Sequence, residues 1–407
     1  MNKIVLGGAI FLLAAVGFTT LPVSPFYAPA ITVPTGFSIN LIADSLGKVR
    51  HIDVNSQGGI YVKLNALKEG KGLLYLTDQN KDGVMDTKTA FGNFPGTGIS
   101  IKGKYLYSSS NSGVYRYLLN DEGEVISPDK PELIVDGLLD KKRDNSKSIA
   151  LDDHNNLYVT IGSYSDACRE GSTGKGIPGC PILDSAAGIW MFKANKLNQT
   201  FKDGVRYATG LKNSVGIDWN AASKSLFATN HGRGAFSDKF PVNFTAKQDA
   251  EIPSETVYEL KKGADAGWPF TYYDNFQKKN ILAPEYGGDG KIEGDTKYIN
   301  PLIALPAHLA PNDLLFYTGN MFPARYKNGA FIVLHGRSAE LKKAYFVAFV
   351  PFVQGKPSGD WEIFADNFTS WAGPAQYRPM GLAQGPDGAL YVSDDLKGTI
   401  FKIAYNK

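Results

Sequence analysis

Between Asp78 and Asp86 the chain reads Asp-Gln-Asn-Lys-Asp-Gly-Val-Met-Asp, with side-chain oxygens at Asp78, Asn80, Asp82 and Asp86 and a glycine, Gly83, at the sixth place. Alternating oxygens around a glycine are how a loop wraps a hard cation, so a structural Ca²⁺ is expected here. The bidentate Glu that closes an EF-hand is missing, and Leu74-Tyr75-Leu76 ahead of the loop has strand character. An ordinary Asp/Asn turn is the competing reading. Cys168 and Cys180 are the only cysteines and bracket a Gly- and Pro-rich stretch. In an oxidising compartment they read as a local disulfide, and two thiols are too few for a metal site. No Gly-x-Gly-x-x-Gly after a strand, Walker loop, His-Glu-x-x-His or Gly-x-Ser-x-Gly elbow is present, which removes support for nicotinamide, nucleotide and zinc-protease chemistry.

The elements that must position these residues follow from one repeated phrase: a short β-branched or apolar run, a turn of Asp, Asn, Gly or Ser, then a strand with Tyr or Phe. It reads Ile52-Asp53-Val54, Gly58-Gly59, Ile60-Tyr61-Val62, and again Ile149-Ala150-Leu151, Asp152 to Asn156, Leu157-Tyr158-Val159. Looser copies run through Ile99 to Tyr107 and Val215 to Ala228. A fifth is marked by Asn328-Gly329 before Ala330-Phe331-Ile332-Val333, and the clearest is Gly381-Leu382-Ala383, Pro386-Asp387-Gly388, Ala389-Leu390-Tyr391-Val392. Asn-Gly and Asp-Gly supply the positive backbone angles of tight hairpins. Each hairpin alone is marginal, and stacking them radially buries their faces. The spacing predicts an all-β, six-bladed β-propeller with an active-site insertion between the fourth and fifth blade hairpins. That insertion holds His231, Gly232, Arg233, Trp268 and His308. A β-sandwich, which also has evenly spaced strands, fits the repetition less well.

The chain has 407 residues with no linker, charge block or low-complexity run, so one large domain over 31–407 is the simplest organisation. Glycine (44), Tyr (21) and Phe (23) against five Met suit a turn-rich, aromatic-packed β-protein. The net charge is only +3 and its basic residues are scattered, which leaves no footprint for nucleic acid. Residues 1–30 read as an export segment: Lys3 precedes an apolar run from Ile4 to Phe18, too short for a comfortable membrane span. Ala28-Pro29-Ala30 offers a cleavage site, its proline leaving an uncleaved anchor open. The expected location is periplasmic or secreted, with membrane contact only through such an anchor.

Several further segments together resemble the soluble glucose/sorbosone dehydrogenases. They are Leu157 to Ser163, Gly210-Leu211-Lys212-Asn213-Ser214-Val215-Gly216, Asn230-His231-Gly232-Arg233, Gly267-Trp268-Pro269, His308-Leu309-Ala310-Pro311, Phe316-Tyr317 and Arg378-Pro379-Met380-Gly381. Their order and spacing, over nearly all of the chain after the export segment, carry the resemblance. It implies a six-bladed propeller using pyrroloquinoline quinone (PQQ) and Ca²⁺ to oxidise a sugar or related polyol, with electrons leaving to an external acceptor. Lys212 falls where that family has an Arg that holds PQQ, and Asn213 keeps the family's Asn. Arg337 and Arg378 match cationic PQQ contacts, and the carbonyls of Gly232 and Arg233 match ligands of the catalytic Ca²⁺. A tricarboxylate needs fixed cations, and guanidinium forks pair carboxylates best.

The resemblance departs at the base. The family's catalytic His aligns with Asp144, and a neighbouring Arg aligns with Lys147. A free Asp has a pKa of ~3.9 against ~6.5 for His, so Asp144 is the weaker base unless burial raises it. His308 and His231 are the candidates for a substitute base or substrate contact, whereas His154 sits in a hairpin turn and His51 and His335 read as packing residues. Asp313 stands where the family has Gly, and Trp268 reads as a buried indole anchoring a turn. Two rival functions follow. A propeller that has lost the catalytic His would bind a carbohydrate or cell-surface ligand without oxidising it. A Ca²⁺-dependent lactonase would need a set of side-chain metal ligands at the mouth, of which only Asn213 is evident.

Overall fold

A computed structural model describes residues 31–406 apart from Ser172, so the export segment and its cleavage site lie outside the described residues. Six antiparallel sheets follow one another around a ring. Blade one is Val49–Val54, Ile60–Lys68, Lys71–Thr77 and Thr87–Phe91, and blade two is Ile99–Lys102, Tyr105–Ser109, Val114–Leu118 and Glu132–Asp136. Blade three is Ile149–Leu151, Asn156–Ile161, Gly188–Lys193 and Val205–Thr209, and blade four is Ile217–Asn220, Ser225–Asn230, Glu255–Leu260 and Ile303–Leu305. Blade five is Pro311–Phe316, Ala330–Ser338, Lys343–Val350 and Glu362–Ala365. Blade six takes Pro379–Gln384, Leu390–Asp394 and Thr399–Tyr405 from the C-terminal end and its outer strand, Phe37–Ala43, from the N-terminal end, paired Phe37 to Tyr405. The ring is thereby closed by strand pairing, which ties the two ends of the chain together.

Each first hairpin turn contains a residue with positive φ: Gly58, Gly103, Asn155, Lys224, Asn328 and Gly388. The repeated phrase therefore reports a backbone requirement. At Gly388 it is also steric, because a Cβ there would lie 3.0 Å from the backbone nitrogen of Met321. In blade five the Asn328-Gly329 phrase introduces the second strand, and the first strand, Pro311–Phe316, precedes a longer turn. Blades two and three gain a fifth, parallel edge strand, Gln199–Thr200 and Ala264–Asp265, each supplied by the chain of the following blade.

The extra material between the fourth and fifth hairpins falls inside blade four, as residues 231–254 before its third strand and 261–302 before its fourth. The two insertions pack on each other through a small core of Phe236, Phe244, Ile252, Tyr272 and Ile281. Between blades five and six the core is aromatic, with Phe322, Tyr326, Phe331, Phe349 and Phe364 fitted edge to face or tilted against one another.

The first strands of neighbouring blades touch around the axis. Three of them are clasped by carboxylates: Asp53 Oδ2 accepts from the Ile101 amide at 2.6 Å, Asp218 Oδ2 from Phe316 at 2.8 Å and Asp313 Oδ2 from Leu382 at 2.7 Å. Asp313, which stands where the family has Gly, is thus a bridge between blades five and six. All three line an axial cavity of about 360 Å³ that runs toward the face of the first-hairpin turns. Among the described residues no helix is long and apolar enough to cross a membrane.

Candidate functional site at the mouth of the ring

The opposite face is built from the segments that enter each first strand and leave each second strand. In a propeller these converge on the axis, so residues far apart in sequence meet there. Lys212 enters blade four; its Nζ lies 3.6 Å from Asp144 Oδ2 and 3.8 Å from Asp166 Oδ1, with only 10% of the side chain exposed. Asn213 Nδ2 lies 3.2 Å from His231 Nδ1 and 3.5 Å from Asp144 Oδ1. One amide NH₂ therefore bridges imidazole and carboxylate. With Asn213 the donor, Nδ1 accepts and Nε2 carries the imidazole hydrogen. Arg233 is buried, pairs with the buried Glu285, and reaches Asp166 Oδ2 at 3.9 Å.

Across the mouth, Arg378 forks onto Asp395 at 2.7 and 3.1 Å, and Asp395 lies 3.4 Å from His335 Nε2. Arg50 spans the two sides: its Nη2 donates to Ser146 Oγ at 2.9 Å, while its charge acts on Arg378 and Asp395. The structure thus brings Asp144, Lys212, Asn213, Gly232 and Arg233 together and sets Arg378 opposite them. It does not bring Arg337 into that group. The Arg337 guanidinium donates to the carbonyls of Trp371 at 2.6 Å and Gly373 at 3.2 Å, holding the loop that enters blade six. His308 is likewise apart, its exposed ring bonded through Nε2 to the Asp249 carbonyl at 2.8 Å.

The Asp78 loop is on the other face, sharing a groove with the turn residues Gln57, Gly58 and Asp387. Its oxygens are turned onto its own backbone: Asp78 Oδ2 accepts from Gly83 at 2.9 Å, Asp82 Oδ1 from Val84 at 2.9 Å, and Asp86 from Gln79 and Asn80. Asn80 Oδ1 accepts from the Asp82 amide at 2.9 Å. This is the geometry of an Asp/Asn turn. Among the described residues no three His, Cys, Asp or Glu side chains are gathered so as to hold a metal ion. Cys168 and Cys180 do form a disulfide, with Cα atoms 6.0 Å apart, in the loop that carries Asp166 to the mouth. Trp268 is buried, as read from sequence, and its indole donates to the Asp166 carbonyl at 3.0 Å, so it positions that acid.

Burial sets the protonation of this face. His231 is pushed down to about 3 by burial and then by the Lys212 charge, His51 to about 4 by burial, and His335 to about 4 by burial. All three are neutral near pH 7. Lys147, buried with its Nζ on the Asn145 carbonyl, is lowered to about 8 by burial. Glu255 beneath the mouth accepts from the Gly232 amide at 2.9 Å and is raised to about 7 by burial. Asp53 is raised to about 6, and Asp218 and Asp313 to about 7, again by burial.

These shifts oppose each other in stability. The histidines bind fewer protons folded than unfolded, so their contribution falls as pH drops from about 6.5 toward 4. The raised carboxyls bind more protons folded, so their contribution falls as pH rises toward about 7. Between pH 5 and 6 the slopes oppose. Above pH 6.5 the three carboxyls near 7 outweigh both the histidines and Lys147, whose lowered value of about 8 acts in the opposite sense, so the melting temperature is expected to decline from pH 6.5 to 7.5. Asp313→Asn should reduce that decline in melts run across the window, and an unchanged slope in the variant would exclude Asp313 as a source.

Four buried polar atoms at the mouth have no hydrogen-bond partner among the described residues: Asp144 Oδ2, Asn213 Oδ1, His231 Nε2 and Asn312 Oδ1. Native interiors pair such atoms, so this concentration marks a place shaped for a polar ligand. The cations Arg50, Lys212 and Arg378 around it suit an anion with several oxygens. The carbonyls of Gly232 and Arg233 accept no hydrogen bond from the described residues and are free to ligate a hard cation. The donor set fits PQQ with Ca²⁺.

Asp166, Arg50, His335, Asp395 and Glu285 escaped the reading of the sequence as site residues. A signal for two of them existed, since Asp395 follows a second strand as His231 does and His335 lies near the end of one, within Ala330–Ser338.

Comparison with known proteins agrees with this fold. A "Pyrroloquinoline quinone-dependent sugar dehydrogenase" from Hypocrea jecorina is 24% identical over 409 residues, covering 92% of this chain and 89% of that protein. An uncharacterized protein of Borreliella burgdorferi is 24% identical over 389 residues, covering 93% and 91%. Among solved structures, the PQQ domain of a pyranose dehydrogenase from Coprinopsis cinerea in its holo form superposes with a TM-score of 0.75 at 20% identity, covering 93% of this chain and 98% of that one. A Trichoderma reesei enzyme of carbohydrate-active family AA12 does so with a TM-score of 0.76 at 19% identity, covering 95% and 100%. The model of the TrAA12-like family matches residues 31–406, and with its ring of six blades and its cation-lined mouth the chain belongs to that family.

Proposed function

We propose that this protein oxidises an aldose or related polyol using PQQ and Ca²⁺ at the mouth of the ring and passes the electrons to an external acceptor. The observation that carries the reading is the set of unpartnered buried polar atoms lying among Lys212, Arg50 and Arg378. Bound PQQ supplies a two-electron acceptor for hydride from the sugar carbon. Lys212 and Arg378, with Arg50, hold its carboxylates, and Asn213 orients it. The carbonyls of Gly232 and Arg233 hold Ca²⁺. His231 donates through Nε2, its tautomer set by Asn213. Asp144 accepts the sugar hydroxyl proton at Oδ2, the oxygen with no hydrogen-bond partner. Lys212 Nζ lies 3.6 Å from that oxygen. The enzyme acts outside the cytoplasm, a reading supported by the leader and by the Cys168–Cys180 disulfide.

A non-catalytic carbohydrate-binding role draws on one observation: Lys212, Arg233 and Arg378 each already face a carboxylate. Titration of the purified protein with PQQ, with and without Ca²⁺, followed by dye reduction with a panel of sugars, separates the two. Saturable bound-quinone absorbance and sugar-dependent dye reduction are expected. Absorbance without turnover leaves the binding role, and neither signal ends the proposal.

A further inference from the structure

Behind the Gly232–Arg233 segment lies a second, smaller and partly open cavity of about 30 Å³, lined by Lys212, His231 and Arg233 on the mouth side and by Ser254, Thr256, Thr271 and Tyr272 of blade four and its insertion. Its walls carry five buried polar atoms with no hydrogen-bond partner among the described residues: Arg233 Nε, Ser254 Oγ, Thr256 Oγ1, Thr271 Oγ1 and Tyr272 OH. The residues that bear them are 6%, 3%, 2%, 5% and 5% exposed. A volume of this size matches one water molecule, and a water needs two to four polar partners.

We propose that this cavity is a built-in water site, holding one or two ordered waters that form the back wall of the mouth. The chemistry of the wall selects water over an ion. Glu285 and Asp166 already offset the Arg233 charge, which removes the attraction for a small anion. The same guanidinium repels a cation. Hydroxyl groups both donate and accept, so several of them close a network around water whichever way it turns. The site has a mechanical consequence. Gly232 packs against the wall so closely that a Cβ would lie 2.8 Å from the Pro253 carbonyl and 3.2 Å from that of Ser254. The water therefore supports the segment whose carbonyls face the mouth, and it does so whether or not sugar oxidation is the protein's function.

The sign of one isosteric substitution tests this. If the hydroxyls bind water, Thr271→Val breaks the network and the melting temperature of the full-length protein, without added cofactor, falls by about 1–3 °C. If the cavity is dry, the same change deletes an uncompensated polar group and the protein melts at the same or a higher temperature, which overturns the proposal. Ser254→Ala supplies a second reading of the same sign. A crystal structure should show density within hydrogen-bond distance of at least two of the five atoms. A void, or an anomalous peak there after a bromide soak, would refute a water site.

Discussion

Lys212→Met is expected to weaken PQQ binding by about 30-fold to several thousandfold, the usual consequence of removing one partner of a desolvated charge pair. Among the described residues Lys212 is the one cation that contacts both Asp144 and Asp166. Without it Asp144 faces the anionic ligand uncompensated and Asp166 keeps only Arg233 and Arg143, so repulsion adds to the lost attraction. Lys212→Arg restores the charge and a carboxylate fork, so it should bind within a few-fold of the parent. Absorbance titration measures both variants. Equal affinity of the Met variant and the parent would remove Lys212 from the cofactor site and with it the central element of the proposed function.

Asp144→Asn should lower turnover with sugar by about 10²- to 10⁴-fold, the range for loss of a general base, while leaving PQQ affinity within a few-fold. The asymmetry is the point of the experiment, because a residue that only shaped the mouth would alter binding and turnover together. Asp144→His should retain turnover, since an imidazole in that place can take the same proton. If the Asn variant keeps full activity, the proton goes elsewhere and His231 is the next group to test. If no variant, nor the parent, turns over any sugar after binding PQQ, the propeller is a binding protein.

The ring itself was legible because its information is local. Asn-Gly, Asp-Gly and their equivalents sit where the backbone needs positive φ, and all six first-hairpin turns carry such a residue. Alternating aromatic and β-branched residues then mark the strands around them. Lys224 shows the limit, since nothing in Ala-Ala-Ser-Lys announces a tight turn, yet the pairing of Ile217 with Ala228 and Asn220 with Ser225 enforces one. Trp268 and the cysteine pair were readable for the same local reason. The Asp78 loop shows a pattern that admits two readings. Its oxygen spacing suits a cation, but the same spacing lets each carboxylate reach backbone amides two to seven residues away, and only the folded loop shows those bonds made.

The mouth divided along similar lines. Lys212, Asn213, Gly232 and Arg233 sit in two short segments that family resemblance located. Arg337 and His308 were assigned by the same route, but their side chains turn to main-chain carbonyls of Trp371, Gly373 and Asp249. Arg50, Asp166 and Asp395 reach the site from blades one, three and six. Taken alone, the sequence determined the repeat, the all-β ring and the place of the insertion, because hairpin chemistry acts over a few residues. Which cations meet which carboxylates, which histidines lose their charge and which polar atoms are left without partners were decided only when the ring closed. Those properties depend on distance and burial between chain segments up to several hundred residues apart, and no short stretch of sequence encodes them.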